Sequence, residues 1–270
     1  MPELPEVETT RRGIAPHLEG KRIVRVEVRA GKLRRPLGKE LAQAAGQTVQ
    51  RVERRAKYLL LRCDGGTLLL HLGMSGSLRI VPASQPPGKH DHLDLALDDG
   101  MALRFCDPRR FGLAAWTAED PLTHPLLAGC GPEPLDNEFD GDHLFRQSRQ
   151  RTVAVKQLLM DGRTVAGVGN IYANEALFRA GIRPETPAGR LSRERCQRLA
   201  VAVKEVLAEA IELGGTTLRD FTDGEGKPGY FRIRLAVYDR AGDPCPRCAT
   251  PITATRQGGR STYCCRKCQR

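Results

Sequence analysis

The apolar and polar positions of the chain first follow a helical period. In residues 5–18, Val7, Ile14 and Leu18 fall on one face, and Pro5 suits the first turn of a helix. We therefore predict an N-terminal helix that turns this apolar face toward a core.

After residue 20 the apolar positions recur at every second residue, which is typical of strands. The first run predicts one strand face made of Val24, Val26 and Val28. Two further runs, AKYLLLRC and TLLLHLGM, flank a Gly-Gly pair, and the run over 93–105 contains an Asp-Gly pair typical of a hairpin turn. The first half is thus predicted to be a leading helix followed by an antiparallel β-sandwich or barrel.

The second half contains three apolar patterns with helical spacing, each of which ends at a glycine. They cover 152–161, 170–180 and 192–213, and Ser192 is placed to cap the last one. A short Gly-rich hinge, GRTVAGVGN, joins the first two. Together the two halves predict a fold of the α+β class.

The composition restricts the partners. With 43 Lys and Arg against 32 Asp and Glu, the net charge is +11, which favours a polyanionic partner such as nucleic acid. No apolar run approaches the roughly 20 residues that span a bilayer, and the N-terminal acids are unlike a signal peptide. We therefore expect a cytoplasmic protein without a membrane partner, whose nine Cys are thiols or metal ligands.

The charge is unevenly distributed along the chain. Residues 240–270 carry seven Lys or Arg and a single acid, whereas 111–145 carry seven acids and no Lys or Arg. The acidic stretch is also dense in Pro and Gly, which favours a seam between two domains. We predict domains at 1–130, 131–236 and 237–270.

The strongest chemical motif is a pair of C-x₂-C knuckles near the C-terminus. Cys245 and Cys248 form the first, and Cys265 and Cys268 form the second after sixteen intervening residues. This spacing predicts one tetrahedral Cys₄ Zn²⁺ site, which would be structural because all four positions are filled by protein. Cys264 leaves a second register open, since it forms a C-x₃-C pair with Cys268.

Basic and amide residues near the predicted turns are candidates for phosphate binding. Arg256 and Arg260 lie between the two knuckles, on what would be a hairpin tip. Asn170 follows GVG at the start of a predicted helix, where backbone amides bind anions, although such a stretch can also be only a turn.

Four further positions each have a functional and a structural interpretation. Met74, flanked by glycines in HLGMSGS, suits a wedge between stacked bases better than a core. Arg109 and Phe111 share the turn DPRRFG, where a solvated Arg pair is the alternative. Lys57, just before an apolar strand, is either a functional cation or a solvent-exposed lysine.

The motif KHDH places His90 and His92 on either side of Asp91. This pattern is consistent with a two-histidine metal site, or with a phosphate contact by His90 at the start of a strand. The residues alone leave both interpretations open.

The N-terminal residues MPELPEVETT present a reactive possibility. Removal of Met1, which a small second residue favours, would leave Pro2 as a free secondary amine beside the Glu3 carboxylate. An ordinary frayed terminus is the alternative.

Taken together, MPELPEVET, RRAKYLLL, HLGMSGSLRI, KHDH, DPRRFG, GVGNIYANEALF, GGTTLRDF, GKPGYF and the paired Cys knuckles resemble the bacterial formamidopyrimidine-DNA glycosylases over the whole chain. The resemblance implies an N-terminal helix with an antiparallel β-sandwich, a helix–two-turns–helix domain and a zinc ribbon. It implies a monomeric base-excision enzyme that removes oxidised purines from damaged double-stranded DNA. Cys264 departs from the family pattern, in which an aromatic residue is expected.

The resemblance also implies residue roles. Pro2 would be the nucleophile, Glu3 the general acid that assists opening of the sugar ring, and Lys57 an assistant in strand cleavage. Arg260 would assist the last elimination, and residues 216–231 would close over the lesion. The positions matching DNA contacts are Met74, His90, Arg109, Phe111, Arg151, Lys156 and Asn170.

Two other functions remain open on the sequence. The related endonuclease VIII group has the same helical module and zinc ribbon but prefers oxidised pyrimidines. A non-catalytic zinc-ribbon protein that binds damaged DNA is the alternative from a different class.

Overall fold

The computed structural model describes residues 2–214 and 235–270, which fall into two compact units. Among these residues the first unit holds 2–128 and Gly214, and the second holds 129–213 and 235–270. The division lies inside the acidic stretch of the sequence. Within the described ranges, no helix has the length and apolar content needed to cross a membrane.

The first unit begins with helix α1, Leu4–Leu18, as the sequence predicts. Val7, Ile14 and Leu18 are all buried. The backbone N–H of Glu3 donates to Glu6 Oε2 at 2.8 Å, which satisfies one of the amides that a helix start leaves without a partner. The start of α1 is therefore fixed by its own side chains.

Eight strands follow and form two antiparallel sheets. One sheet has the order β1-β6-β7-β5 and the other β2-β3-β4-β8. Their bounds are β1 Ile23–Val28, β2 Val49–Arg55, β3 Tyr58–Cys63, β4 Gly66–His71, β5 Ser77–Pro82, β6 Asp91–Leu97, β7 Met101–Cys106 and β8 Leu113–Thr117, with a short 3₁₀ helix at Lys39–Ala44. The core contains leucines of both sheets together with α1, so the predicted helix and β-sandwich are confirmed.

The predicted hairpin is present, but of the three residues predicted for the first strand's apolar face only Val26 packs against the core. Strands β6 and β7 pair through the Asp99-Gly100 turn, where Gly100 has a φ of +82°. On β1, Val24 and Val28 are 48% and 41% exposed, and Ile23 is buried instead. The pairing of this edge strand with β6 shifts register between Ile23 and Arg25, and a bulge of this kind adds one residue to the strand. Ile23 and Val26 therefore both pack on the core although they lie three positions apart.

The second unit is helical and ends in a two-stranded ribbon. Its elements are α2 Gly141–Ser148, α3 Val155–Met160, α4 Asn170–Ala180, α5 Arg193–Glu212, β9 Thr253–Gln257 and β10 Arg260–Cys264, with a short 3₁₀ turn at Ala188–Arg190. A further 3₁₀ turn, Pro121–Thr123, belongs to the first unit. Helix α2, which begins inside the predicted seam, was not predicted from the sequence. Its signal was Asp140, whose side chain caps the helix by accepting from the His143 amide at 2.6 Å.

Two buried charges of the first unit form an ion pair across the β6–β7 hairpin. The guanidinium of Arg104 is 1% exposed and donates to Asp94 Oδ2 at 2.7 Å, and Asp94 also accepts from Arg29 at 2.8 Å. These cations hold the pKa of Asp94 below its usual value despite the opposing effect of burial. The pair is therefore charged inside the sheet.

We predict that Asp94→Ala lowers the free energy of unfolding by about 3–5 kcal/mol, because removal of Asp94 leaves the buried Arg104 guanidinium paired with the more distant Asp91 carboxylate, at 3.7 Å. Chemical denaturation would measure the loss. Asp98→Ala, at an exposed position of the adjacent turn, is the matched control and should change stability little. Equal small losses in both variants would contradict this assignment.

Candidate functional site

The predicted nucleophile and general acid lie in an ordered, buried setting at the start of α1. Pro2 is buried, Glu3 is 2% exposed and Glu6 is fully buried. The hydrogen bond from the Glu3 amide to Glu6 fixes the backbone one residue after Pro2. This geometry does not fit the alternative of a frayed terminus.

Lys57 lies in the turn between β2 and β3, near the end of α1 at which Pro2 and Glu3 are found. The Arg11 side chain donates to Val52 O at 3.3 Å, and one helical turn earlier Glu8 accepts from Arg54 Nε at 3.3 Å. Strand β2 therefore runs antiparallel to α1 and leads toward its N-terminus. This direction brings the half-buried Lys57 toward the helix start that carries Pro2 and Glu3.

His71 lies beside this turn and contacts the following loop. Burial, together with the nearby charges of Lys57 and Arg34, lowers the pKa of His71 to about 4. The neutral ring accepts a hydrogen bond at Nδ1 from the Gly73 amide at 2.9 Å. Its ring also contacts Tyr58, which adjoins Lys57, with centroids 4.8 Å apart. His71 thus connects the Lys57 turn to the segment that carries Met74.

The structure brings Met74, Arg109 and Phe111 together on two adjacent loops. We call residues 72–76 the Met74 loop and residues 107–112 the Arg109 loop. Met74 is 36% exposed and Phe111 45%, and the Arg109 guanidinium lies 5.3 Å from the centroid of the Phe111 ring. Large apolar side chains are thus presented to solvent beside a cation, as a wedge between bases requires.

The two-histidine metal interpretation finds no support in the described ranges. The His92 ring is engaged with the backbone, since its Nε2 lies 2.9 Å from Asp107 O. His90 is half-buried, and the two ring centroids are 6.4 Å apart. The interpretation of His90 as a phosphate contact remains.

The second unit contains the one metal-binding group found among the described residues. The Sγ atoms of Cys245, Cys248, Cys265 and Cys268 all lie within 4.8 Å of one another. Two of their separations are 3.9 Å and 3.5 Å, close to the about 3.8 Å that a tetrahedron of 2.3 Å Zn–S bonds implies. The four thiols therefore fit a zinc ion, whose bound form would stabilise the ribbon.

The position of Cys264 favours one of the two registers that the sequence leaves open. Its Sγ lies 3.3 Å from Thr253 Oγ1 on the neighbouring strand and is outside the four-sulfur group. Cys265 is thus the ligand that fits the second knuckle.

The ribbon is held to α4 by buried polar side chains that the sequence analysis did not identify. Glu175 accepts from the backbone amides of Ala236, Val237 and Tyr238 at 2.8–2.9 Å. Asn174 accepts from the Tyr263 amide at 2.8 Å. The only sequence signal was a pair of polar residues inside a helix that is otherwise apolar, NIYANEALF.

The remaining predicted contacts divide into exposed and internal residues. Arg151 and Arg260 are exposed, and Arg260 begins β10. Lys156 is 1% exposed, and its ammonium group donates to Ser261 O and Thr262 Oγ1, both at 2.7 Å. The Asn170 side chain donates to the same Ser261 carbonyl at 3.1 Å. The structure thus gives Lys156 a role in fixing the hairpin, and its direct contact with phosphate stays a prediction.

These features define a class of protein, one with a buried and ordered N-terminal segment and a basic zinc ribbon typical of nucleic-acid binding. The chain matches the formamidopyrimidine-DNA glycosylase N-terminal domain over residues 1–114 and the H2TH domain of the same enzymes over 130–222. Residues 242–270 match the zinc finger found in FPG and IleRS. The chain belongs to the formamidopyrimidine-DNA glycosylase family and is a DNA glycosylase of base-excision repair.

Individual relatives match this chain over nearly the full length of both proteins. The formamidopyrimidine-DNA glycosylase of Geotalea uraniireducens is 62% identical over 100% of both chains. The crystal structure of the Thermus thermophilus MutM (FPG) protein is 43% identical, with a TM-score of 0.90 over 99% of this chain and 98% of that one. A mutant of Lactococcus lactis Fpg was solved with DNA containing Fapy-dG, and the wild-type protein with DNA containing an oxidised pyrimidine; each is 33% identical, with a TM-score of 0.90 over 99% of both chains. The predicted family, fold class and zinc site are confirmed.

We predict that Cys265→Ser loses zinc whereas Cys264→Ser retains it, because only Cys265 shares the four-sulfur group. Elemental analysis of the two purified variants would measure the metal content. Loss of zinc from Cys264→Ser together with its retention by Cys265→Ser would establish the other register.

Proposed function

We propose that this glycosylase removes 8-oxoguanine and formamidopyrimidines from duplex DNA and then cleaves the strand at the abasic site by β,δ-elimination. The observation that carries the proposal is the buried start of α1, where Glu6 fixes the Glu3 amide beside Pro2. The complex of the Lactococcus lactis enzyme with DNA containing Fapy-dG supports the lesion class. The family consists of enzymes, so the non-catalytic reader is not retained.

The proposed reaction begins with the amine of Pro2, freed by removal of Met1. Its lone pair attacks C1′ of the damaged nucleotide, and the base leaves with the electron pair of the glycosidic bond and takes up the proton that the amine loses. The nitrogen lone pair then forms the C1′=N bond while the C1′–O4′ bond breaks, and protonated Glu3 gives its proton to O4′ as the ring opens. A terminal amine has a pKa of about 7.7–8.0, so a neutral fraction exists near pH 7. The product is a cationic iminium in which Pro2 is bonded to C1′.

The iminium then drives strand cleavage. Its positive charge acidifies the C2′ proton, whose loss expels the 3′ phosphate in the β-elimination. A second proton loss expels the 5′ phosphate in the δ-elimination. We assign Lys57, at the turn that leads toward the start of α1, to the first of these steps and Arg260 to the second.

The remaining candidates would bind the DNA from which the base is removed. A base in the duplex must leave the stack before C1′ is reachable, and unstacking costs a few kcal/mol. Met74, Arg109 and Phe111 would fill the gap, which fits their exposure on adjacent loops. Basic and polar groups would contact phosphates; the candidates are His90, Arg151, Asn170 and Arg260. The proposed lesion-closing loop, 216–231, lies outside the described residues.

The lesion class has one competing candidate. An oxidised pyrimidine is present in a complex of the Lactococcus lactis enzyme, so pyrimidine excision of the endonuclease VIII type is the second proposal. Action as a monomer stays a prediction.

We predict that Pro2→Gly loses most base excision while it binds duplex DNA nearly as well, because no positive charge is removed. Borohydride trapping of the covalent adduct and a binding titration would be measured on the same preparation. Pro16→Gly, at an exposed position of α1, is the matched control. Undiminished trapping by a protein whose mass includes Met1 would contradict the proposed nucleophile.

We predict faster single-turnover excision of 8-oxoguanine than of thymine glycol from otherwise identical duplexes. Both substrates require the same covalent chemistry, so their ratio reports on recognition of the lesion and not on Pro2. Preference for thymine glycol would favour the endonuclease VIII type of specificity.

A further inference from the structure

The Met74 loop and the Arg109 loop are joined by a carboxylate that has no exposed surface. Asp107 is fully buried, and its Oδ1 accepts from the Ser75 hydroxyl at 2.8 Å. Its Oδ2 accepts from the Gly112 amide at 2.7 Å, which closes the Arg109 loop on itself. One side chain therefore holds both ends of its own loop and a residue of the neighbouring one.

Ser75 completes the connection in the opposite direction. While its hydroxyl donates to Asp107, its oxygen accepts from the Arg109 amide at 3.2 Å. The hydroxyl thus fixes the backbone of Arg109 from a position directly after Met74. Two of the three proposed wedge residues are linked through this one atom.

The backbones of the two loops also approach closely. Gly73 has a φ of +66°, and a Cβ at this position would lie 2.3 Å from the Phe111 carbonyl carbon. The loops therefore pack backbone against backbone, and small relative shifts are sterically limited. On the far side, Asp107 O lies 2.9 Å from His92 Nε2, so the carboxylate residue is itself fixed to strand β6.

We infer that Ser75 and Asp107 are positioning residues that hold the Met74 loop and the Arg109 loop as one rigid wedge while the damaged base is out of the stack. This inference rests on the proposed function of Met74, Arg109 and Phe111. A wedge must offset the free energy that is lost when a base pair is unstacked. Its side chains do so only if they keep a fixed separation. The buried carboxylate supplies this rigidity because leaving it without donors is costly.

The clearest test is Ser75→Ala in the full-length zinc-containing enzyme. Loss of the hydroxyl removes both links, so excision of 8-oxoguanine from paired DNA should slow by about 10-fold, and excision from a lesion in a bubble by less than about 2-fold. Ser75→Thr keeps a hydroxyl and should recover most of the paired-DNA rate. Ser77→Ala, two residues away on β5, is the matched control and should behave as the wild type.

Two readouts separate positioning from a general loss of structure. Ser75→Ala should trap abasic DNA with borohydride as efficiently as the wild type, because no base has to be extruded. In a Met74→Ala background, Ser75→Ala should slow paired excision by only about 2-fold to 3-fold, since the two changes affect one wedge. If the fold-reductions in rate caused by the two single substitutions multiply in the double variant, Ser75 acts independently of Met74 and the inference is overturned.

The measurements distinguish an error in the wedge role of Met74 from an error in the positioning role of Ser75. If Met74→Ala slows paired excision selectively but Ser75→Ala does not, the wedge stands and the positioning role is wrong. If Met74→Ala slows paired and bubble substrates equally, the wedge itself is wrong, and the positioning role is overturned with it. Equal slowing of both substrates by Ser75→Ala, with a lowered melting temperature, would assign Ser75 to stability alone.

Discussion

A carboxylate that is removed from water must find hydrogen-bond donors inside the protein, because an uncompensated buried charge is costly. Three buried acids meet this constraint with backbone amides: Glu6 with the Glu3 amide, Asp107 with that of Gly112, and Glu175 with those of three ribbon residues. Each of these amides belongs to irregular chain or to the start of a helix, where regular structure leaves amides unpaired. The same bonds that compensate the acids therefore order the segments that carry the candidate chemistry.

The ribbon shows why such anchoring is needed in addition to a metal. Its apolar cluster is small and includes Phe178 of α4, so its two strands bury little surface of their own. A zinc ion would join the two knuckles. It would fix neither the position of the ribbon on α4 nor residues 236–238, which lead into the ribbon. Glu175 and the fully buried Gln269, which bridges the Cys265 amide and Ile182 O at 2.9 and 2.8 Å, supply these restraints. Metal and polar anchors thus restrict different degrees of freedom.

The sequence predicts the features of this protein that are encoded locally. The helix at α1, the β6–β7 hairpin and the Cys knuckles each depend on spacing over a few residues. The orientation of β1 was not predictable in this way, because it depends on an irregular pairing with β6. Asp107 was also missed, since its partner Ser75 lies 32 positions away and no periodic pattern records such a pair. Recognition of the motif DPRRFG identified the exposed residues and not the buried acid that holds them.

The net charge of +11 correctly indicated a nucleic-acid partner, but it does not show which cations face that partner. Arg104 and Lys156 are each 1% exposed and donate to groups within the protein. Lys156 donates to the carbonyl of Ser261, the neighbour of the exposed Arg260. Because desolvating an ammonium group is costly, its two 2.7 Å bonds to β10 restrain that strand strongly. The buried Lys156 thus restrains the strand that carries the exposed Arg260, so a cation inside the protein helps to position one at its surface.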